Sequence, residues 1–109
     1  METMSETDRR TLSRRKAFLA VEIDASTRKK RVGVTRDASR RGLLIASPSR
    51  FAVGEALDLK VLVPHRGEVA VQARVTRVEE NPVDSHEMWR WRFAVELDQD
   101  EPELFAAAG

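Results

Sequence analysis

The chain has 109 residues, of which 41% are hydrophobic and 34% charged, with a net charge of +1 and no cysteine. This size fits one small domain, and the absence of cysteine excludes thiol catalysis, disulfides and cysteine-ligated zinc. No apolar run approaches the roughly 20 residues of a membrane helix, and residues 1–10 hold no apolar export signal, so a cytoplasmic protein without membrane insertion is expected.

Residues 1–16 are polar and basic, which predicts a flexible N-terminal arm. From residue 17 to residue 98, apolar and polar residues alternate with a period of two, the pattern of half-buried β-strands. Six strands are predicted, joined by short polar turns: 18–24, 31–36, 43–46, 56–63, 68–80 and 88–97. Residues 99–109 form a tail with a short helix that begins near Pro102.

Three of the strands carry informative patterns. The strand 31–36 alternates its two valines with polar residues and a glycine. In 68–80, Val78 falls on the opposite face from Val75 and the valines before it, which predicts a β-bulge or a strong bend. In 88–97, Trp89 and Trp91 share a face with Phe93, which favours core packing over stacking on bases or carbohydrate.

The strands are joined without any helix long enough to serve as a crossover, so they are expected to pair antiparallel. A single antiparallel sheet of this size hides its edges best when it closes on itself. The sequence therefore predicts a small all-β protein, a six-stranded antiparallel barrel.

The sequence offers no catalytic or metal-binding constellation. His65 and His86 lie in predicted loops, and Asp84 with His86 alone does not make a metal site. The serines lack a neighbouring histidine or a G-x-S-x-G turn, and neither a Walker-type loop nor a G-x-G-x-x-G sequence occurs. An enzyme is not expected, and no metal or cofactor is implied.

The stretch "RDASRRG" (36–42) holds the pattern D-x-S-x-x-G between the second and third strands. A plain turn explains it, because Asp37 and Ser39 can each bond backbone two residues on and Gly42 can adopt a positive φ. A ligand explains it as well. An ionised Asp accepts two hydrogen bonds in one plane, which matches the N1–H and N2–H₂ donors of guanine, and arginines bind phosphates and stack on bases.

Together with the arm, this turn resembles the PilZ domain family. An R-x-x-x-R, Arg10 to Arg14, precedes the first strand, D-x-S-x-x-G follows the second, and "WRFAVEL" (91–97) is similar to the family's closing strand. The arginine spacing alone carries little weight, because it occurs again at Arg36 and Arg40. The resemblance covers about residues 9 to 98 and implies a six-stranded barrel that binds the bacterial second messenger cyclic di-GMP.

The resemblance also implies a role for each motif residue. Arg10 and Arg14 would grip phosphates and stack on guanine, Asp37 and Ser39 would read a guanine edge, and Gly42 would shape the turn. Charge alone suggests auxiliary phosphate contacts from Arg9, Arg15, Arg40 and Arg41. The protein would then be a signalling adaptor whose arm orders around the ligand and presents a new surface to an unidentified protein effector.

Two other functions stay open. If the arm is aligned differently, Leu19 takes the place of the second motif arginine, which favours a degenerate barrel that binds a protein but no nucleotide. Arg41 stands where many family members carry a second glycine, so the turn is expected to differ in shape.

The second alternative is a basic barrel that binds nucleic acid. Residues 9–50 hold 13 Lys or Arg against 3 acidic residues, which supports this function, although the few aromatic residues argue against that partner.

Overall fold

Strand formation follows the predicted alternation through most of the chain. The computed structural model describes residues 15–16, 18–102 and 104. Its strands are β1 Arg15–Lys16, β2 Ala20–Asp24, β3 Arg31–Ala38, β4 Gly42–Ser47, β5 Ala56–Val63, β6 Gly67–Glu80 and β7 Trp91–Leu97. Pro102 and Leu104 have helical backbone, and the rest of the predicted C-terminal helix lies outside the described residues. Within those residues, no helix has the length and apolar character needed to span a membrane.

Strands β2 to β7 close into a barrel in which every pairing is antiparallel. The order around the barrel is β3, β2, β5, β6, β7, β4, and β4 pairs back with β3. Strand β1 adds two residues alongside the end of β3. Because each barrel strand has a neighbour on both sides, the sheet has no long free edge. This confirms the six-stranded antiparallel barrel expected from the sequence.

Alternate residues of the barrel strands form the core. In β5, every second residue from Leu57 to Val63 is buried, and the residues between them are exposed. The rings of Phe51 and Phe93 pack inside with their centroids 5.2 Å apart. Leu104 is fully buried in the same cluster, so the segment after β7 folds back onto the barrel.

Strand β6 contains the irregularity that its sequence predicts. Its register with β7 shifts between Val75 and Arg77. Val75 is buried, and Val78 packs partly buried against the core from beyond the shift. Strict alternation from Val75 would place Val78 on the outer side of the barrel. Because of the bulge, Val78 packs on the inner side instead.

The two tryptophans lie at the margin of the core. Trp91 is the first residue of β7 and is half-buried, Trp89 precedes the strand, and full burial along β7 begins at Phe93. The guanidinium groups of Arg50 and Arg90 lie 5.1 and 5.4 Å from the centroid of the Trp91 ring. The Trp91 ring is therefore already engaged by two cations.

Strand β3 turns its valine side outwards. Val32 is 52% exposed, whereas Gly33, Thr35 and Ala38 face the core. A Cβ at Gly33 would lie 2.9 Å from Cγ2 of Ile45, closer than such atoms can approach. Small residues on the inner side of β3 thus make room for large aliphatic side chains on the neighbouring strands.

We expect Gly33→Ala to lower the free energy of unfolding by about 1–3 kcal/mol, because the added methyl group overpacks the core. Urea denaturation of the variant and the parent protein measures this difference. Val32→Ala is the control, since this neighbouring side chain is largely exposed, and its change should stay within about 0.5 kcal/mol. Equal midpoints for Gly33→Ala and the parent would contradict the packing described here.

Candidate functional site at the turn between β3 and β4

The turn between β3 and β4 is closed by its own first and last residues. The backbone N–H of Ser39 donates to the carbonyl oxygen of Gly42 at 2.9 Å. The Ser39 hydroxyl lies 3.4 Å from the same oxygen, so its bond there is long. A ligand could draw this hydroxyl away at little cost to the turn.

Gly42 does not have the positive φ that the sequence suggested. Positive φ among the described glycines occurs at Gly54 and Gly67, whereas Gly42 is an extended residue of β4 paired with Glu96. A Cβ there would lie 3.2 Å from the carbonyl oxygen of Val95 and 3.5 Å from Oγ of Ser39. A positive φ therefore does not explain this glycine, and the close approach of the Val95 carbonyl oxygen in β7 is what favours a glycine here.

A bulge in β3 determines where Asp37 points. The register with β4 shifts between Thr35 and Asp37, which leaves Arg36 as the extra residue. Thr35 and Ala38 are fully buried, and Arg36 and Asp37 between them are half-buried. The bulge therefore leaves two consecutive polar residues on the outer side of the barrel, next to the turn that holds Ser39.

Arg40 and Arg41 form the tip of the turn, and the segment after β7 contacts them. Their carbonyl oxygens accept hydrogen bonds of 2.8 Å from the N–H groups of Glu101 and Leu97. Both guanidinium groups lie 3.7 Å from the carboxylate of Asp100, at side-chain exposures of 60% and 55%. Ion pairs this exposed are weak, so an incoming anion could replace Asp100.

Of the N-terminal arm, residues 1–16, the structure describes only Arg15 and Lys16. Arg9, Arg10 and Arg14 lie outside the described residues. The backbone of Arg15 pairs with Ala38 and that of Lys16 with Asp37. The chain that emerges from the arm therefore reaches the barrel directly beside Asp37.

Leu19 anchors the segment that follows β1. Its N–H donates to Oγ1 of Thr35 at 2.8 Å, and its carbonyl oxygen accepts from the N–H of Thr35 at 2.8 Å. Both residues are buried, Leu19 to 7% exposure. The paired bonds fix this segment against the part of β3 that carries the bulge.

A shallow groove of about 340 Å³ begins at the turn and runs over β4, β7 and β6. Its polar lining comes from Ser39, Arg41, Thr76, Arg77 and Glu96. The groove joins the hydroxyl of the motif serine to two guanidinium groups, a combination suited to a polar, anionic ligand.

The contacts that Arg36 makes near the turn were not predicted from the sequence. Its Nη1 donates a hydrogen bond to Oε1 of Glu87, and its guanidinium carbon lies 5.3 Å from the centroid of the Phe18 ring. Phe18 is 64% exposed. The spacing of Arg36 and Arg40 was visible in the sequence, but nothing in it indicated that Glu87 or Phe18 lies nearby.

The histidines occupy the exposed positions expected for them. His65 lies in the turn between β5 and β6, and His86 lies in the loop before β7 with Asp84, which is also exposed. Over the part of the chain that the structure describes, no group of three or more His, Cys, Asp or Glu side chains is arranged to hold a metal ion.

The sequence matches a known protein family, and the fold is similar to solved structures. A family model described as "PilZ domain" matches residues 8–107, and no curated protein matches the sequence. The solved structure described as "PilZ domain with c-di-GMP of YcgR from Escherichia coli" is similar, with a TM-score of 0.66 and 14% identity over 87% of this chain and 82% of that one. The Bacillus subtilis inhibitor of motility (MotI/DgrA) is similar with a TM-score of 0.64 and 20% identity over 88% of this chain but 46% of that one, about half its length.

We expect Thr35→Val to lower the free energy of unfolding by about 1–3 kcal/mol, because it leaves the buried N–H of Leu19 without its side-chain acceptor. Thermal and urea unfolding measure the change. Thr76→Val is the matched control, since Thr76 is exposed and its hydroxyl bond to the carbonyl oxygen of Ala94 is 3.3 Å long. If the two variants lose equal stability, the Leu19–Thr35 link does not hold this segment.

Proposed function

Because this chain belongs to the PilZ domain family, we propose that it is a cyclic di-GMP receptor that acts as a signalling adaptor. PilZ domains bind ligands and are not enzymes, and the similar YcgR structure is described as containing c-di-GMP. The observation that carries the proposal is the bulge at Arg36, which leaves Asp37 on the outside of the barrel two residues before Ser39.

The outward Asp37 and Ser39 suit the recognition of guanine. The carboxylate of Asp37 can accept two hydrogen bonds in one plane from N1–H and N2–H₂, donors that adenine does not present together. The hydroxyl of Ser39 can turn from its long contact with Gly42 to the ligand. The lack of a side chain at Gly42 lets β7 approach the start of β4 closely, since a Cβ there would lie 3.2 Å from the carbonyl oxygen of Val95.

The phosphates of the ligand would be bound by the arm. Arg10 and Arg14 are the principal arginines, with Arg9 and Arg15 as auxiliary ones. The pairing of β1 with the end of β3 supports this arrangement, because it brings the chain from the arm beside Asp37. The burial of Leu19 supports the register that uses Arg14, since a core residue cannot serve as part of an arm.

Arg40 and Arg41 are proposed as further phosphate contacts. Both lie at the tip of the turn, and both face the carboxylate of Asp100 at 3.7 Å. A phosphate could take the place of that carboxylate, because a guanidinium group binds both kinds of anion.

The output of the domain would be a protein interaction. Binding would order the arm over the turn and so create a surface that the free protein lacks. The description of MotI as an inhibitor of motility supports action on another protein, and here that partner is an unidentified protein effector. The cytoplasmic location expected from the sequence stays a prediction.

Isothermal titration calorimetry of the full chain with cyclic di-GMP tests the proposal. We expect saturable binding by the parent protein. Asp37→Asn and Arg14→Ala should each weaken it by about 10-fold or more, because each removes a charge-assisted hydrogen bond. Asp84→Asn is the matched control, since it removes an exposed carboxylate in the loop before β7.

Cyclic di-AMP is the control ligand, because it keeps the phosphates and lacks the guanine donors. Absence of any heat with cyclic di-GMP from a folded sample would sink the proposal and leave the barrel as a protein-interaction module. Tight binding to DNA or RNA that falls steeply with salt would favour the nucleic-acid alternative instead.

A further inference from the structure

The exposed aromatic ring of Phe18 lies against Arg36, the extra residue of the β3 bulge that immediately precedes Asp37. We propose that the Phe18 ring, held in place by Arg36, is a stacking surface for a guanine base of the ligand. This inference rests on the proposed function and adds a residue to it that lies outside both sequence motifs.

The position of Phe18 relative to Asp37 is fixed from both sides. Lys16, two residues earlier, is paired directly with Asp37, and two residues of chain span at most about 7 Å. Leu19, the next residue, is bonded twice to Thr35. The ring therefore stands on anchored backbone, and little conformational entropy is lost when a ligand binds it.

The contacts of Phe18 leave ring surface for a base. Its side chain is 64% exposed, although the large aromatic rings of Phe51 and Phe93 are 1% exposed. The guanidinium group of Arg36 approaches the ring at 5.3 Å, and its hydrogen bond to Glu87 holds that group in place. One cation is thus fixed against the ring, and the remaining apolar surface faces solvent.

An aromatic ring at this position would complement the way in which Asp37 is proposed to bind a guanine base. A carboxylate such as that of Asp37 contacts a guanine only along its edge, which leaves the two flat faces of the base unsupported. An aromatic side chain beside that carboxylate can cover one face. Stacking of one base on an aromatic side chain changes affinity by about 5- to 150-fold.

Calorimetric titration of four variants with cyclic di-GMP tests this assignment. Phe18→Ala removes the ring, Phe18→Leu keeps apolar bulk without a flat face, and Phe18→Trp keeps a flat face. Val53→Ala is the matched control, because Val53 is 65% exposed in the loop between β4 and β5. Unfolding midpoints of all four variants check that each is folded.

We expect Phe18→Ala and Phe18→Leu each to weaken binding by about 5-fold or more, while Phe18→Trp and Val53→Ala stay within about 2-fold of the parent. The indole of Phe18→Trp should also show ligand-dependent fluorescence quenching beyond that of the parent protein. If the parent binds cyclic di-GMP and Phe18→Leu binds it with the same affinity, the stacking role is wrong and the proposed function stands. Absence of binding by the parent would overturn both.

Discussion

The pairing of β3 with β4 closes the barrel, and the bulge within that pairing sets which side of the sheet the last residues of β3 face. Thr35 and Ala38 are fully buried on either side of it, so Arg36 and Asp37 are both left on the outer side. Without the extra residue, strict alternation from the buried Thr35 would turn Asp37 towards the core and Ala38 outwards. The candidate site therefore depends on a backbone irregularity, and the core keeps that irregularity in register.

Residues on the inner side of β3 pack in the core, and residues on its outer side lie at the candidate site. On its inner side, Gly33 makes room for Ile45, and Thr35 accepts the hydrogen bond that anchors Leu19. On its outer side, Arg36 contacts Phe18 and Glu87. A change in the core of this strand should thus disturb the proposed ligand site as well as stability, because the same backbone positions both.

Much of the architecture could be read from the sequence, and the failures have physical reasons. The bulge of β6 was visible because Val78 breaks the parity of the valines before it. The bulge of β3 could not be predicted from the sequence. Val32 and Val34 lie on the outer side, so the alternation of apolar residues did not mark the position at which the register with β4 shifts. Gly42 fits a turn as well as a close approach to β7, so its sequence position could not tell the two apart. Phe18 shares the parity of Glu22 and Asp24 on the polar face of the predicted strand, and only the fold shows that this position brings it against Arg36.

We propose that a guanine-containing ligand binds on the outer side of the bulged end of β3 and the turn that follows it. The most direct measurement is a two-dimensional ¹⁵N NMR titration of the full chain with cyclic di-GMP. If the ligand binds there, the largest amide shifts will cluster at residues 36–42 and at the segment containing Phe18. Shifts that instead centre on the two neighbouring pockets that share Asp24, Asp58 and Asp98, or no shifts at all, would rule this site out.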